Sequence, residues 1–190
     1  IGLFLMFFSA VNAQGESDTL SRPSYLKRGD TIVILAPSGV LKEREASIQI
    51  AKDLMEGWGL NVLMGANTFN QNNHFAGTDA ERAADFQKAI DNPSVKAIWA
   101  ARGGYGAVRV IDLLDFTKFK ESPKWIIGYS DITAFHNHIH NLGVETIHGM
   151  MATSLEGDWK DTTETIRSLK NALFGNCLLY TSPSPRDLQG

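Results

Sequence analysis

The sequence has little cysteine and no excess of positive charge. Its single cysteine, Cys177, lies close to the C-terminus of the 190-residue chain, so a fold held together by disulfide bonds is excluded. The 18 lysines and arginines are outnumbered by 21 aspartates and glutamates, which gives a net charge of −3. Surfaces that bind nucleic acid need clustered basic residues, and we therefore expect no nucleic-acid partner.

The sequence also lacks an apolar run long enough to span a bilayer. Residues 1–13, I-G-L-F-L-M-F-F-S-A-V-N-A, are apolar but too short at about 1.5 Å of rise per residue. The run ends in Val11-Asn12-Ala13, which fits the small-residue pattern of a signal-peptide cleavage site. We interpret 1–13 as a partial signal peptide and 14–22 as a flexible leader, and expect a periplasmic or secreted protein. The alternatives are a buried N-terminal strand and a longer membrane anchor.

Short β-branched runs alternate with helical patterns along most of the chain. Continuous apolar runs predict strands at 31–36, 60–64, 95–101, 125–128 and 144–148. Apolar residues near a 3.6-residue spacing predict helices at 42–56, 107–114, 131–141 and 162–174, and the capping box at 78–81 opens another helix that ends at Asn92. Parallel strands need crossovers that cover both faces of a sheet. The alternation therefore predicts an α/β fold over residues 23–176, with a Rossmann-like, doubly wound, mainly parallel sheet.

Residues 124–133 pass from a strand into a turn that has a serine at its apex. The sequence K-W-I-I-G-Y-S-D-I-T changes from an apolar run to a helical pattern at Ser130, as in a nucleophile elbow. The backbone N–H of Asp131 then lies at a helix N-terminus, where it can donate to an oxyanion. The G-x-S-x-G pattern is half met, because Ile132 replaces its second glycine. The alternative is that Ser130 only caps the helix.

Ligands of open α/β sheets bind beyond the carboxyl ends of the strands, and three small-residue loops are predicted there. These are residues 37–39, 102–106 and 129–131, which we expect to share one rim with the end of the fifth strand. The candidate substrate contacts on this rim are Arg102, Gly103, Gly104, Tyr105, Tyr129 and His148.

The glycines and the arginine of the R-G-G-Y-G loop have alternative roles. Gly103 and Gly104 either shape the turn or direct their amides at an oxyanion. Arg102 either clamps a carboxylate or pairs with a structural aspartate. A dinucleotide fingerprint is incomplete, because Arg109 stands where its third glycine is needed, and we predict no cofactor.

Three histidines at alternate positions suggest a metal site. His136 and His140 share one helix face, but Asn137 replaces the glutamate of H-E-x-x-H, and no third ligand is evident. Six residues along a helix rise about 9 Å, which places His136 too far along to act as the base for Ser130. We predict no metal and interpret His136, His138 and His140 as a solvated or packed helix face.

Three blocks together resemble the LD-carboxypeptidase (muramoyltetrapeptide carboxypeptidase) family. They are G-D-T-I-V-I-L-A-P-S-G at 29–39, A-R-G-G-Y-G-A at 101–107, and G-Y-S-D-I-T at 128–133. The resemblance covers about residues 23–175 and implies a serine peptidase with a Ser-His-Glu triad, in which Ser130 is the nucleophile. It places the glutamate and histidine in a C-terminal domain that this chain does not include.

The implied function is hydrolysis of an L-D peptide bond that releases a terminal D-amino acid from murein peptides. Hydrolysis of peptidyl-nucleotide toxins is the alternative within the same family. A non-enzymatic Rossmann-type module that binds a nucleotide or a sugar is the alternative from another class. In that case Gly103–Gly106 would hold the ligand, and Ser130 would only cap a helix.

The final segment, 177–190, does not continue the pattern. C-L-L-Y-T-S-P-S-P-R-D-L-Q-G has no periodicity and resembles translated adapter sequence joined to a truncated gene, while a natural disordered tail is the alternative. We therefore expect the chain as given to be inactive, since the base is missing. We also expect apolar surface around Tyr105, Met150 and Met151 to be exposed and to favour association, such as a homodimer.

Overall fold

The structure, a computed structural model, describes residues 20–155 and 163–176. The predicted signal peptide at 1–13, most of the leader and the segment 177–190 lie outside the described residues. Within the described part of the chain, no helix combines the length and the apolar character that crossing a membrane requires.

The core of the fold is a sheet of five parallel strands in the order β2-β1-β3-β4-β5. The strands are β1 Thr31–Leu35, β2 Asn61–Met64, β3 Val95–Ala100, β4 Trp125–Gly128 and β5 Ile147–His148. The chain adds β2 on one side of β1 and then returns to add β3, β4 and β5 on the other. Carboxyl-end loops diverge at such a reversal and leave room for a ligand. The predicted α/β architecture is confirmed.

Helices cover both faces of the sheet. They are α1 Glu45–Gly57, α2 Asp79–Asp91, α3 Ala107–Ile111, α4 Thr117–Glu121, α5 Thr133–Asn141 and α6 Thr163–Phe174. Helices α1 and α6 pack on one face with Trp99, and α2 to α5 pack on the other with Ile98. Burial from both sides explains why β1 and β3 read as continuous apolar runs rather than as alternating ones.

Several predicted boundaries shift, and α4 is missing from the sequence prediction. Helix α1 begins at Glu45 rather than at 42, and α3 ends at Ile111 rather than at 114. The five-residue α4 is too short to show a 3.6-residue period. Of its five residues only Phe119 is buried, and its ring packs edge-to-face against that of Phe116, with the ring centroids 5.8 Å apart.

The fifth strand is shorter than predicted, because the first residue of the predicted range pairs with the N-terminal arm. Strand β5 comprises only Ile147–His148, whereas Val144 forms an isolated parallel bridge with Ser21. Arg22 follows this bridge and forms two hydrogen bonds with the Glu145 carboxylate, at 2.6 and 3.0 Å. The start of the predicted fifth strand is therefore bound to the arm by an isolated bridge and an ion pair and does not belong to the sheet.

The expectation of exposed methionines at the rim is wrong. Met150 and Met151 are only 6% and 5% exposed, and they belong to the cores on opposite faces of the sheet. The carbonyl of Met150 also accepts a 2.7 Å hydrogen bond from Trp99 Nε1, which fixes this segment against β3. Tyr105, the third residue of that expectation, is 56% exposed.

The packing of α2 on α5 can be tested at the stacked pair Phe86 and Phe135. Their ring centroids are 4.3 Å apart with an interplanar angle of 10°, and both side chains are buried. We expect Phe135→Ala to lower the free energy of unfolding by about 3–5 kcal/mol, because it leaves a cavity in the core. Denaturant titration measures the loss, and the exposed Leu113→Ala should change it by less than about 0.5 kcal/mol. Similar values for the two variants would contradict this assignment of the core.

Candidate active site

Ser130 lies at the carboxyl end of β4 in a strained backbone conformation. Its φ is +60°, in the left-handed region that non-glycine residues rarely adopt, and it begins a 3₁₀ turn, Ser130–Ile132, that leads into α5. Such a conformation costs about 1–2 kcal/mol and is found mostly at functional sites. The side chain is exposed. The local geometry is therefore the predicted strand, tight turn and helix, with an accessible hydroxyl at the apex.

The partial G-x-S-x-G pattern has a steric explanation. A Cβ atom on Gly128 would lie 2.9 Å from the Cγ atoms of Ile132, which is closer than real contacts allow. Ile132 is itself buried and packs over the backbone of Gly128. The first glycine is therefore required, while the position of the second is occupied by a core side chain.

Asp131 contributes more than the backbone N–H that the sequence suggests. Its carboxylate Oδ2 accepts a 2.9 Å hydrogen bond from the backbone N–H of Ala107, the first residue of α3. A carboxylate at a helix N-terminus is favourable, and this one ties the loop after β3 to the loop after β4. Sequence reasoning missed this role, because the two residues are 24 positions apart and no local pattern links them.

The three predicted loops do meet at one rim. A Cβ atom on Gly103 would lie 3.2 Å from Ser130 Cβ, 3.4 Å from its Oγ and 3.5 Å from the Asp131 nitrogen. The N–H of Gly39 donates to the Gly103 carbonyl at 3.0 Å, which brings in the loop after β1. The absence of a side chain on Gly103 therefore lets this loop approach the serine hydroxyl and the Asp131 amide closely, at the point where an oxyanion would need donors.

The other candidate substrate contacts lie around this point and differ in how far they are exposed to solvent. Arg102 Nη1 donates to the carbonyl of Val40, and within the described residues it pairs with no carboxylate, so the structural-aspartate alternative is not observed. Gly104 has a φ of +118° and adjoins exposed Tyr105. Tyr129 is 42% exposed, with its ring 6.5 Å from that of His148.

His136 supports the elbow, a role that the sequence did not show. Its Nε2 lies 2.9 Å from the Gly128 carbonyl, which also accepts from the N–H of Gly149 at 3.0 Å. Because a carbonyl can only accept, Nε2 is the donor. The buried Nδ1 has no hydrogen-bond partner among the described residues. His136 is therefore packed, as one of the two interpretations predicted, but its side chain reaches back to the end of β4, which the 9 Å rise along the helix did not predict.

The remaining histidines of the H-N-H-I-H segment do not converge on His136. His138 packs its ring against Phe116, with the centroids 4.8 Å apart, and His140 is exposed. Across the described ranges 20–155 and 163–176, no three His, Cys, Asp or Glu side chains are grouped so that they could hold a metal ion.

Comparison with known proteins agrees with this geometry. Residues 32–149, more than half of the chain, match the LD-carboxypeptidase N-terminal domain family. The chain belongs to this family. The family assignment inferred from the three sequence blocks is thereby confirmed, and the match includes the loops after β1, β3 and β4.

Individual relatives of this LD-carboxypeptidase domain cover the same region. A probable murein peptide carboxypeptidase of Bacillus subtilis is 37% identical over 134 residues, which are 70% of this chain and 41% of the relative. A murein tetrapeptide carboxypeptidase of Pseudomonas aeruginosa is 30% identical over 125 residues, which are 65% and 40%. The microcin C7 self-immunity protein MccF, solved in complex with aspartyl sulfamoyl adenosine, is 26% identical with a TM-score of 0.72 over 86% of this chain and 48% of its own. The chain thus spans less than half the length of each.

Gly103→Ala tests the close approach of this LD-carboxypeptidase loop to the serine. The added methyl group would press on Ser130 Cβ and Oγ, so we expect the rate of covalent labelling of Ser130 by a fluorophosphonate to fall about tenfold or more. The measurement uses the protein encoded by the complete gene, with labelling followed by mass spectrometry. Gly57→Ala is the matched control, because a Cβ there meets nothing within 4 Å. An unchanged labelling rate in Gly103→Ala would contradict the proposed geometry.

The environment of His136 predicts a pH dependence of stability. Burial lowers the pKa of His136 below its ordinary value of 6.5, and this outweighs the hydrogen bond to Gly128, which raises the pKa; the charge of His148 lowers it further. The unfolded chain therefore binds the proton more readily, and the free energy of unfolding should fall as the pH drops below about 6.5 towards the folded-state pKa.

We expect His136→Gln to reduce this loss, measured by denaturant unfolding between about pH 7.5 and 5.5, because glutamine can still donate to Gly128 without titrating. The exposed His140→Gln should retain the pH dependence of the wild type. A slope in His136→Gln equal to that of the wild type would show that another group titrates.

Proposed function

We propose that the protein is a serine carboxypeptidase that hydrolyses an L-D peptide bond and releases a terminal D-amino acid from murein peptides, in cell-wall recycling or remodelling. One observation carries the proposal: an exposed Ser130 with a left-handed backbone lies beside the Asp131 amide and against the closely approaching backbone of Gly103. The names of the murein carboxypeptidase relatives support the substrate class. The apolar run at residues 1–13 supports export to the periplasm or secretion as part of the same proposal.

In the proposed reaction, Ser130 Oγ attacks the carbonyl carbon of the L-residue while its proton passes to a general base. The tetrahedral oxyanion is stabilised by the Asp131 N–H and by an amide of the Gly103-Gly104 turn. Collapse breaks the C–N bond, and the base returns the proton to the amine of the departing D-amino acid. Water then hydrolyses the acyl ester on Ser130 by the reverse proton path.

His136 is unsuited to be the general base in this reaction. Its Nε2 is engaged by the Gly128 carbonyl, its Nδ1 is buried, and burial lowers its pKa. We therefore assign the base and its carboxylate partner to the part of the relatives' length that this chain does not span, as the family resemblance implies. The described residues then supply the nucleophile, the oxyanion donors and the substrate-binding rim, and without that base we expect them to be inactive.

The rim also offers a group for the carboxylate that a carboxypeptidase substrate carries. Arg102 is half-buried beside Gly39, and its hydrogen bond to Val40 fixes the guanidinium, whose other N–H groups donate to none of the residues in 20–155 and 163–176. Tyr105 and Tyr129 expose their rings on the same rim and would contact the remainder of the peptide. These contacts are part of the proposal, together with His148 and Gly104.

A peptidyl-nucleotide substrate is the second candidate. MccF shares this fold, with a TM-score of 0.72, and was solved with aspartyl sulfamoyl adenosine bound. The proposed bond cleavage is the same type of acyl transfer, so the described serine geometry fits either substrate. The two substrates differ in the acyl group that Ser130 would carry and in the group that leaves, which is a D-amino acid for the murein peptide and the nucleotide part for the peptidyl nucleotide.

Replacement of the serine tests the proposed chemistry. In the protein encoded by the complete gene, we expect Ser130→Ala to lower kcat for D-alanine release from a muropeptide tetrapeptide by at least about 10⁴-fold, because the covalent step is lost. Ser94→Ala, at an exposed serine just before β3 and at the opposite end of the sheet, should retain wild-type turnover. Undiminished turnover in Ser130→Ala would remove this residue from the mechanism.

Assays of the wild-type protein with both substrates separate the candidate functions. Wild-type cleavage of an aspartyl sulfamoyl adenosine conjugate without cleavage of the tetrapeptide would favour the peptidyl-nucleotide function. Absence of both activities in a folded wild-type protein, with Ser130 inert to fluorophosphonate, would favour a binding module instead.

A further inference from the structure

One buried arginine joins the loops that form the rim. The side chain of Arg82, on α2, is 0% exposed, and its Nη1 donates to the carbonyl oxygens of Pro37 at 2.6 Å and Gly106 at 3.0 Å. Its Nη2 pairs with the carboxylate of Asp79. We propose that Arg82 is a positioning residue that holds the loops after β1 and β3 in the arrangement that Ser130 requires. This inference rests on the proposed function for its kinetic consequence, but its structural part can be tested separately.

Arg82 reaches Ser130 through two chains of contacts. Gly106 is followed by Ala107, whose N–H donates to the carboxylate of Asp131, the residue next to the serine. On the other side, Pro37 is two residues before Gly39, whose N–H donates to the carbonyl of Gly103. Gly103 in turn lies against Ser130 itself. Both carbonyl oxygens that Arg82 binds are therefore close in the chain to groups that contact the serine or its neighbour.

The surroundings of Arg82 show that the rim backbone is fitted closely around its guanidinium. Gly106 has a φ of +122°, and a Cβ atom there would lie 2.8 Å from Arg82 Nη1 and 2.9 Å from the Phe75 ring. The Phe75 ring centre lies 4.9 Å from the guanidinium carbon, which brings the loop between β2 and α2 over the arginine. Three loops and one helix thus contact a single side chain.

The fork shape of the guanidinium, rather than its charge, accounts for this arrangement. Arg82 donates from one nitrogen to two carbonyl oxygens and from another to a carboxylate, and both nitrogens belong to one planar guanidinium group. A lysine at this position would keep the charge but present a single ammonium nitrogen, which cannot span the three acceptors. Arg82→Lys should therefore release at least one rim carbonyl while leaving Asp79 paired.

Arg109 provides a matched control. It binds the same Asp79 carboxylate through Nε and Nη2, and its guanidinium carbon lies 5.4 Å from the centre of the same Phe75 ring. Its side chain is 49% exposed and, among the described residues, donates to no rim carbonyl. Its backbone N–H donates to the Gly106 carbonyl at 3.1 Å, and a lysine would keep this bond. The substitution Arg109→Lys thus perturbs the same ion pair and the same aromatic contact without releasing Pro37 or Gly106.

The experiment compares Arg82→Lys with Arg109→Lys in the protein encoded by the complete gene. Five quantities are measured: kcat and KM for D-alanine release, the rate of fluorophosphonate labelling of Ser130, amide hydrogen exchange across residues 102–107, and thermal unfolding. We expect Arg82→Lys to lower kcat and the labelling rate by about tenfold or more with KM within about threefold, and to speed exchange at 102–107. Arg109→Lys should stay within about twofold of the wild type in kcat, KM, the labelling rate and the exchange rates at 102–107.

Equal kinetic losses in the two variants, or wild-type labelling and exchange in a folded Arg82→Lys protein, would overturn the inference. If Arg82→Lys does not fold, Asp79→Asn replaces it, because this change weakens the anchoring of both arginines. A loss in Asp79→Asn larger than that in Arg109→Lys then supports a role for Arg82, and an equal loss contradicts it. If the wild type releases no D-alanine, the proposed function fails, while hydrogen exchange at 102–107 still decides whether Arg82 holds the loop.

Discussion

The left-handed backbone of Ser130 is the constraint on which the candidate site depends. An L-residue adopts this conformation only when its surroundings hold it there, and at Ser130 they act from both sides. Two donors, from His136 and Gly149, fix the carbonyl of Gly128, and the Asp131 carboxylate is fixed by the N–H of Ala107. The position of the hydroxyl is therefore set by contacts of its neighbours in the chain.

The sequence predicts the fold well where burial alone determines the structure. Strands β1 and β3 are apolar throughout because helices cover both faces of the sheet, and the Thr78–Glu81 capping box marks the start of α2 correctly. Prediction fails where distant contacts decide the structure. Helix α4 is a five-residue segment with one buried residue, Phe119, and part of the predicted fifth strand pairs with the N-terminal arm through Val144 and Ser21. Neither feature leaves a periodic pattern in the local sequence.

The site shows the same division between what the sequence can and cannot predict. The topological rule for parallel sheets correctly placed the loops containing Gly39, Gly103 and Ser130 at one rim. It could not indicate that Asp131 binds Ala107 or that Arg82 binds Gly106, since each pair is 24 residues apart. Both are bonds between a side chain and a backbone group, and such bonds require no particular residue type at the backbone position. Only the folded geometry reveals them.

The proposed function places the two halves of the catalytic machinery in different parts of the protein. The described residues hold Ser130 rigidly but engage the nearest buried histidine, His136, in a structural hydrogen bond. Tyr105 and Tyr129 remain 56% and 42% exposed on the rim, which suits a surface that a substrate or another domain covers. If the base lies in such a domain, closure over the rim would both desolvate the substrate and bring the base to the serine. Rigid positioning of Ser130 would then matter more than its intrinsic reactivity, because the hydroxyl must already be in place when the base arrives.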